Sequence, residues 1–228
     1  MTPLAALMVA AFAGGPIAAQ APARPATSHP DTLDGSAYAA ALATLPRDTQ
    51  GELAALVDSA RVAGLPAAAL QRKVVEGVAK HADPARIARV VRDVGAGLRA
   101  ARGALGPAGD AELEAAGAAV QAGVTPDQLR RLRASLPHGR SVTQTVVILT
   151  DLIRRGVPST DGARAIVRLA RAGAGDADLA QWRAEVAADL SAGIGGGAAA
   201  ARRTDTFLRQ HAGVGAPVVT PAPGPLDP

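Results

Sequence analysis

Cysteine is absent from this sequence, and large aromatic side chains are nearly so. Without cysteine the chain has no disulfide bonds, no thiolate catalysis and no cysteine-ligated zinc. Phe, Tyr and Trp together make up 2% of the residues, so the hydrophobic content of 48% overstates the apolar area available for burial. We therefore expect a thin core in which neighbouring elements approach each other through small side chains.

Motifs of the common enzyme classes are also missing. The chain has four widely separated histidines and neither a His-x-x-x-His nor a His-Glu-x-x-His pair. Gly-x-Ser-x-Gly, the phosphate-binding Gly-x-x-x-x-Gly-Lys-Ser/Thr loop and a strand-borne Gly-x-Gly-x-x-Gly are lacking too. We therefore predict no catalytic residue, no cofactor site and no metal site. A carboxylate site assembled from distant parts of the chain would escape this search, so an envelope enzyme stays an alternative.

Alanine makes up about a quarter of the chain, and alanine has the highest intrinsic helix propensity. Apolar residues also recur at helical spacing, most clearly between residues 84 and 104, opposite a side rich in arginine. No segment alternates in the manner of a strand. The sequence predicts an all-α fold of eight or nine helices. The apolar stripe of the 84–104 helix consists of Ile87, Val90, Val91, Val94, Leu98 and Ala101.

Helix starts are indicated by capping residues. Three segments fit the capping box, in which a hydroxyl accepts a hydrogen bond from the third backbone N–H and Glu or Gln reaches back. Asp83 precedes Pro84, which suits the first helical position. The three predicted boxes are Thr49 to Glu52, Thr125 to Gln128 and Ser141 to Gln144.

Three glycines, Gly64, Gly123 and Gly156, are each followed within three residues by proline. Glycine suits the left-handed position that ends a helix and proline cannot continue one, so each segment predicts a joint between two helices. Two of these joints are 33 residues apart, close to the period of helical-hairpin repeats. We expect degenerate helical hairpins that form a short α-solenoid or an irregular helical bundle.

The ends of the chain differ in composition from the middle. Residues 4–12 are an uninterrupted apolar run, followed by small residues, which is typical of a secretory signal peptide. We predict a signal peptide over 1–19, a flexible linker over 20–47 with a short helix near 35–43, and a helical domain over 48–212. The dense prolines of residues 213–228 predict a disordered tail.

Positive charge is the remaining candidate for function. Basic residues number 24 and acidic residues 20, and only Lys73 and Lys80 are lysines. Phosphates, acidic lipids or an acidic protein could contact a local arginine cluster. The candidate contacts for an anionic partner are Arg130, Arg131, Arg133 and Arg140.

We expect an exported, noncatalytic helical protein of the periplasm or the extracellular space. Such a protein would act as a scaffold, an adaptor or an envelope-associated interaction protein, with no transmembrane span in its mature chain. Its partner would be a protein or an anionic envelope component. The alternative is a cytoplasmic, basic, nucleic-acid-binding helical protein, which export would disfavour.

Overall fold

A computed structural model describes residues 35–211 of the chain. This part of the protein is all-α, as predicted, and contains ten helices and no strand. The signal peptide and the tail that the sequence predicts lie outside the described residues. The helices are α1 (Gly35–Ala43), α2 (Arg47–Val62), α3 (Ala67–Ala79), α4 (Pro84–Leu105), α5 (Asp110–Gln121), α6 (Pro126–Ser135), α7 (Thr143–Arg154), α8 (Ser159–Arg171), α9 (Asp176–Ser191) and α10 (Gly196–His211).

Six of the nine connections between these helices are built in the same way, from four residues. The second residue has a positive φ, and the N–H of the third donates to a carbonyl five residues earlier, as Leu65 does to Ala60 at 2.9 Å. This is the Schellman ending of a helix. Its left-handed position is glycine in five joints and His81, with φ of 51°, in the sixth. The joints span residues 63–66, 80–83, 122–125, 155–158, 172–175 and 192–195.

Helices joined in this way pack in two rows. All extensive contacts among the ten helices join consecutive helices or helices two apart in the sequence. In the even row, α2, α4, α6, α8 and α10 lie side by side in that order. In the odd row, α1 packs on α3, and α5, α7 and α9 follow one another. The two rows pack against each other through pairs such as α4 with α5 and α9 with α10.

The core between the rows consists mainly of Leu, Val, Ile and Ala, with Trp182 as its one buried aromatic side chain in the described range. Small residues allow the close approach that the composition predicts. A Cβ atom added to Gly97 on α4 would lie 2.9 Å from the carbonyl oxygen of Gly117 on α5. One added to Gly196 would lie 2.5 Å from the carbonyl oxygen of Gly156. The backbones themselves are therefore in contact at these crossings.

Two of the predicted helix starts are confirmed. Thr125 and Gln128 form a reciprocal capping box, and the Asp83 side chain accepts from the N–H groups of Ala85 and Arg86. The other two boxes are wrong. Helix α2 begins two residues before Thr49, after Pro46. At α7, Ser141 accepts from the N–H of Thr143 at 3.2 Å, and no capping box forms.

The apolar stripe of α4 is buried at Ile87, Val91, Leu98 and Ala101. Val90 differs from the prediction, because it is 40% exposed. Val90 lies at the edge of the face that contacts the other row, and it borders an open cleft between α3 and α4.

Two glycines of α4 provide a direct test of backbone contact between the rows. Gly97→Ala places a methyl group against the Gly117 carbonyl, and we expect it to lower the free energy of unfolding by about 1–3 kcal/mol. Gly103→Ala adds a carbon that has open space around it, so this variant should raise the free energy of unfolding by about 0.5–1 kcal/mol. Chemical denaturation measures both changes. Equal stability of the two variants would show that α4 and α5 are not in backbone contact.

Candidate anionic-partner interface

The four arginines that the sequence singles out do not form one free patch. Arg130, Arg131 and Arg133 lie on α6, and Arg140 lies in the connection between α6 and α7. Their guanidinium groups point to different surroundings, and three of the four are engaged by groups of the chain itself.

Arg133 is part of a bridge between three helices. Its Nη2 atom donates to Oε2 of Glu112 on α5 at 3.0 Å, and Oε1 of the same carboxylate accepts from the N–H of Val142 at 2.8 Å. Glu112 thus caps the start of α7 and pairs with α6 at the same time. Arg133 has a structural role in this arrangement.

The surroundings of Glu112 set its protonation. Burial would raise the pKa of this carboxyl group, but hydrogen bonds from the Val142 N–H, the Ser141 hydroxyl and the Arg133 guanidinium outweigh that effect and lower the pKa below its usual value. The side chain is 14% exposed. The side chain of Glu112 is therefore negatively charged near neutral pH.

Arg140 ties two connections together. Its Nη1 atom donates to the carbonyl oxygen of Ala174 at 3.0 Å, and its Nη2 atom pairs with Asp176 at the start of α9. The joint between α8 and α9 is thereby linked to the loop before α7. Arg140 is three-quarters buried, and both of its terminal nitrogens are engaged within the chain.

The two remaining candidates differ from each other. Arg130 pairs with Asp127 one turn earlier on α6, where both side chains are exposed. Arg131 is exposed and has no ion pair or side-chain hydrogen bond within residues 35–211. Of the four predicted contacts, Arg131 has the free guanidinium.

Charge is divided between the two rows of helices. The even row carries sixteen arginines and seven acidic residues, a net charge of +9. The odd row carries four basic and nine acidic residues, a net charge of −5. This division is invisible in the overall net charge of +4.

Most odd-row carboxylates are paired with arginines. Glu114 on α5 pairs with Arg72 on α3, and Asp151 on α7 pairs with both Arg155 and Arg183. Asp189 on α9 is nearly buried and holds two even-row arginines of α10. The hydrogen bonds from Arg203 and Arg202 lower the pKa of Asp189 well below its usual range. These pairs hold neighbouring helices together and leave little free negative charge.

The even row, in contrast, retains free positive charge. Six of its arginines are exposed and make no ion pair or side-chain hydrogen bond with any described residue. Their positions extend over α2, α4, α6 and α8, so the free charge follows the row. They are Arg47, Arg86, Arg89, Arg99, Arg131 and Arg171.

A cleft of about 440 Å³ lies on the even row between α6 and α8. Arg131 borders it from α6, and Arg164 and Arg171 border it from α8. Sequence reasoning missed the two α8 arginines because they are more than 30 positions away from Arg131. The spacing of seven residues, which places Arg164 and Arg171 on the same side of one helix, was the sequence signal that could have identified them. The other lining residues are Gln128, Thr160, Ala163 and Val167.

Other candidate features have structural roles. Trp182 is 2% exposed and lies in the core. Gly196 begins α10 where the backbone touches Gly156. No group of three or more His, Asp or Glu within residues 35–211 is placed to hold a metal ion, and no helix there is long and apolar enough to cross a membrane.

Three carboxylates anchor arginine side chains. A general acid needs a raised pKa, which burial away from positive charge provides. The pKa of Glu112 is instead lowered by hydrogen bonds from Val142, Ser141 and Arg133, and those of Asp151 and Asp189 are lowered by hydrogen bonds from arginines. None of these three carboxylates therefore has the raised pKa of a general acid.

Comparison with known proteins finds no matching protein family, no similar curated protein and no similar solved structure.

The anchoring role of Glu112 predicts a pH-dependent loss of stability. Glu112→Gln should lower the free energy of unfolding by about 1.5–3 kcal/mol at pH 7, since the carboxylate accepts from a guanidinium and a backbone N–H. A depressed pKa in the folded state contributes stability above the unfolded value of about 4.3, and this contribution is lost as the pH falls further. The difference between the variant and the wild type should therefore shrink below about pH 4.

Asp58→Asn is the matched control, because Asp58 pairs with Arg61 at an exposed site and should change stability by less than about 0.5 kcal/mol. Urea unfolding at pH 7 and pH 3 measures these effects. A Glu112→Gln effect as small as that of the control, or one that is constant with pH, would contradict the anchoring role.

Proposed function

We propose that this chain is an exported, noncatalytic helical-repeat protein whose even row binds an extended acidic partner. The observation that carries the proposal is the row of six exposed, unpaired arginines, together with the internal pairing of most odd-row carboxylates. Free charge of one sign on one side of a domain favours a partner of the opposite sign.

The order of the helices supports an extended partner. Packed helices lie about 8–10 Å apart, so the row from α2 to α8 presents its free arginines over roughly 25–30 Å. Proteins made of stacked helical hairpins commonly bind extended segments along one row. The recurring four-residue joints and the neighbour-only contacts fit that class of architecture.

The side chains of the row favour an acidic polypeptide over a nucleic acid. Single-stranded nucleic acids are bound through aromatic side chains on which their bases stack. The even row has one aromatic residue, Phe207, and that ring stacks on His211 of its own helix. Guanidinium groups alone are suited to carboxylates, which they bind through paired hydrogen bonds. The nucleic-acid alternative is an outcome that the binding test below can detect.

Export is the second part of the proposal, and the apolar run of residues 4–12 supports it. When the full chain is expressed in a bacterium, we expect the periplasmic fraction to contain a shortened protein whose mass corresponds to a start at Gln20. Intact-mass measurement of separated periplasmic and cytoplasmic fractions checks this. Full-length protein confined to the cytoplasm would contradict export and favour the nucleic-acid alternative.

Binding of a fluorescent polyglutamate tests the interface. The wild-type protein should bind it at low salt and lose affinity as salt is raised. Arg89→Glu, on the even row, should weaken binding about five- to tenfold, whereas Arg154→Glu, on α7 of the odd row, should weaken it less than about twofold. Arg154 is a matched control because it is exposed, has no ion pair and undergoes the same change of charge.

Fluorescence anisotropy gives the dissociation constants. Equal losses in the two variants would show that net charge, and not the even row, governs binding. A duplex or single-stranded DNA of equal charge that bound more tightly than polyglutamate at the same salt concentration would overturn the choice of partner.

A further inference from the structure

The cleft between α6 and α8 has features of a small-ligand site that the rest of the even row lacks. We propose that it binds a phosphate monoester, with the phosphate held by arginines from both helices. This inference goes beyond the extended acidic partner, since it concerns a small molecule in a defined cleft. The two proposals can fail separately.

Positive charge converges on the cleft, and two of its three arginines have no ion pair with a described residue. Arg131 on α6 and Arg171 on α8 border it from opposite helices, and neither has an ion pair within the described part of the chain. Arg164 contributes a third guanidinium, whose pair with Asp161 is exposed and therefore weak. No acidic residue lines the cleft. Guanidinium groups that face one space repel each other, and an anion between them removes that repulsion.

Gln128 is a second and independent feature of the cleft. It is 9% exposed, and its Oε1 atom accepts from the N–H of Thr125 at 2.8 Å as part of the capping box. That bond fixes the orientation of the amide group. The Nε2 atom donates to no other described residue, and Gln128 lines the cleft. An amide nitrogen that has no partner in the described chain and lies beside arginines can donate to an anionic oxygen.

The remaining lining residues match the other parts of a phosphate monoester. Thr160, one turn before Arg164 on α8, adds a hydroxyl donor. Ala163 and Val167 provide an apolar wall for the carbon chain of an ester. The volume of about 440 Å³ falls within the range of small-molecule sites. Three phosphate oxygens can thus meet several donors while the organic part lies on apolar side chains.

A second cleft that contains cations differs in this respect. It lies between α3 and α4, has a volume of about 500 Å³ and is lined by Lys73, Lys80 and Arg86 and by the carboxylates of Glu76 and Asp83. Both lysines donate to the Glu76 carboxylate, at 2.7 and 2.5 Å. These hydrogen bonds lower the pKa of Glu76 to about 2, so its negative charge persists. Two carboxylates thus offset most of the positive charge of that cleft, whereas no carboxylate lines the α6–α8 cleft.

Calorimetric titration of the full chain with inorganic phosphate and with butyl phosphate tests the inference. We expect saturable binding of butyl phosphate, which Arg131→Gln and Arg171→Gln each weaken about tenfold or more. Arg89→Gln, a free even-row arginine outside the cleft, should weaken it less than about twofold. Both cleft arginines are exposed and unpaired, so their variants should fold, which circular dichroism verifies.

Weaker binding of inorganic phosphate than of butyl phosphate would support an ester as the ligand, with Ala163 and Val167 in contact with its carbon chain. Equal binding of the two ligands would show that Ala163 and Val167 do not contribute to binding, and it would contradict the assignment of an ester as the ligand. Undetectable binding at about 10 mM butyl phosphate would overturn the site. Equal effects of all three arginine variants would overturn it as well. Polyglutamate binding by the same wild-type protein separates failure of this site from failure of the extended interface.

Discussion

The left-handed residue at the end of a helix is the constraint on which this fold depends. In six joints the left-handed residue turns the chain so that the N–H of the next residue donates to a carbonyl in the last turn of the helix. The following helix begins two residues after that donor. Because the connections are so short, each helix must pack on its neighbour or on the helix after it. Alternate helices consequently lie side by side, and the two rows follow from the repetition of one local geometry.

Once the rows exist, side-chain size and charge have separate consequences. Alanine and glycine let the rows approach until backbones touch, as at Gly97 and Gly117, so a thin core suffices. Arginines lie mainly on even helices, whereas acidic residues outnumber basic ones on odd helices, and pairs such as Glu112 with Arg133 join the rows. Arginines outnumber the carboxylates they can reach, and the surplus is exposed on the even row. The ion pairs that join the rows and the surface that we propose for binding thus arise from the same division of charge.

Sequence patterns predicted the helices better than they predicted the interface. Gly64, Gly123 and Gly156 were recognised as joints because proline follows them. The joint at His81 was missed since no glycine marks it, although histidine tolerates a left-handed backbone better than most residues. Arg133 was predicted to be a partner contact, but it pairs with Glu112, 21 positions away. Distances of that kind depend on how the rows pack, which helical periodicity does not encode.

The arginines divide into anchors that hold the rows together and free groups that we propose face a partner. Labelling of the folded protein with phenylglyoxal, followed by peptide mass spectrometry, measures the reactivity of each arginine. We expect Arg89, Arg131 and Arg171 to react early and to be protected by polyglutamate, whereas Arg133 and Arg140 should react late with or without it. Similar rates for the two groups, or early reaction of Arg133 and Arg140, would contradict this division.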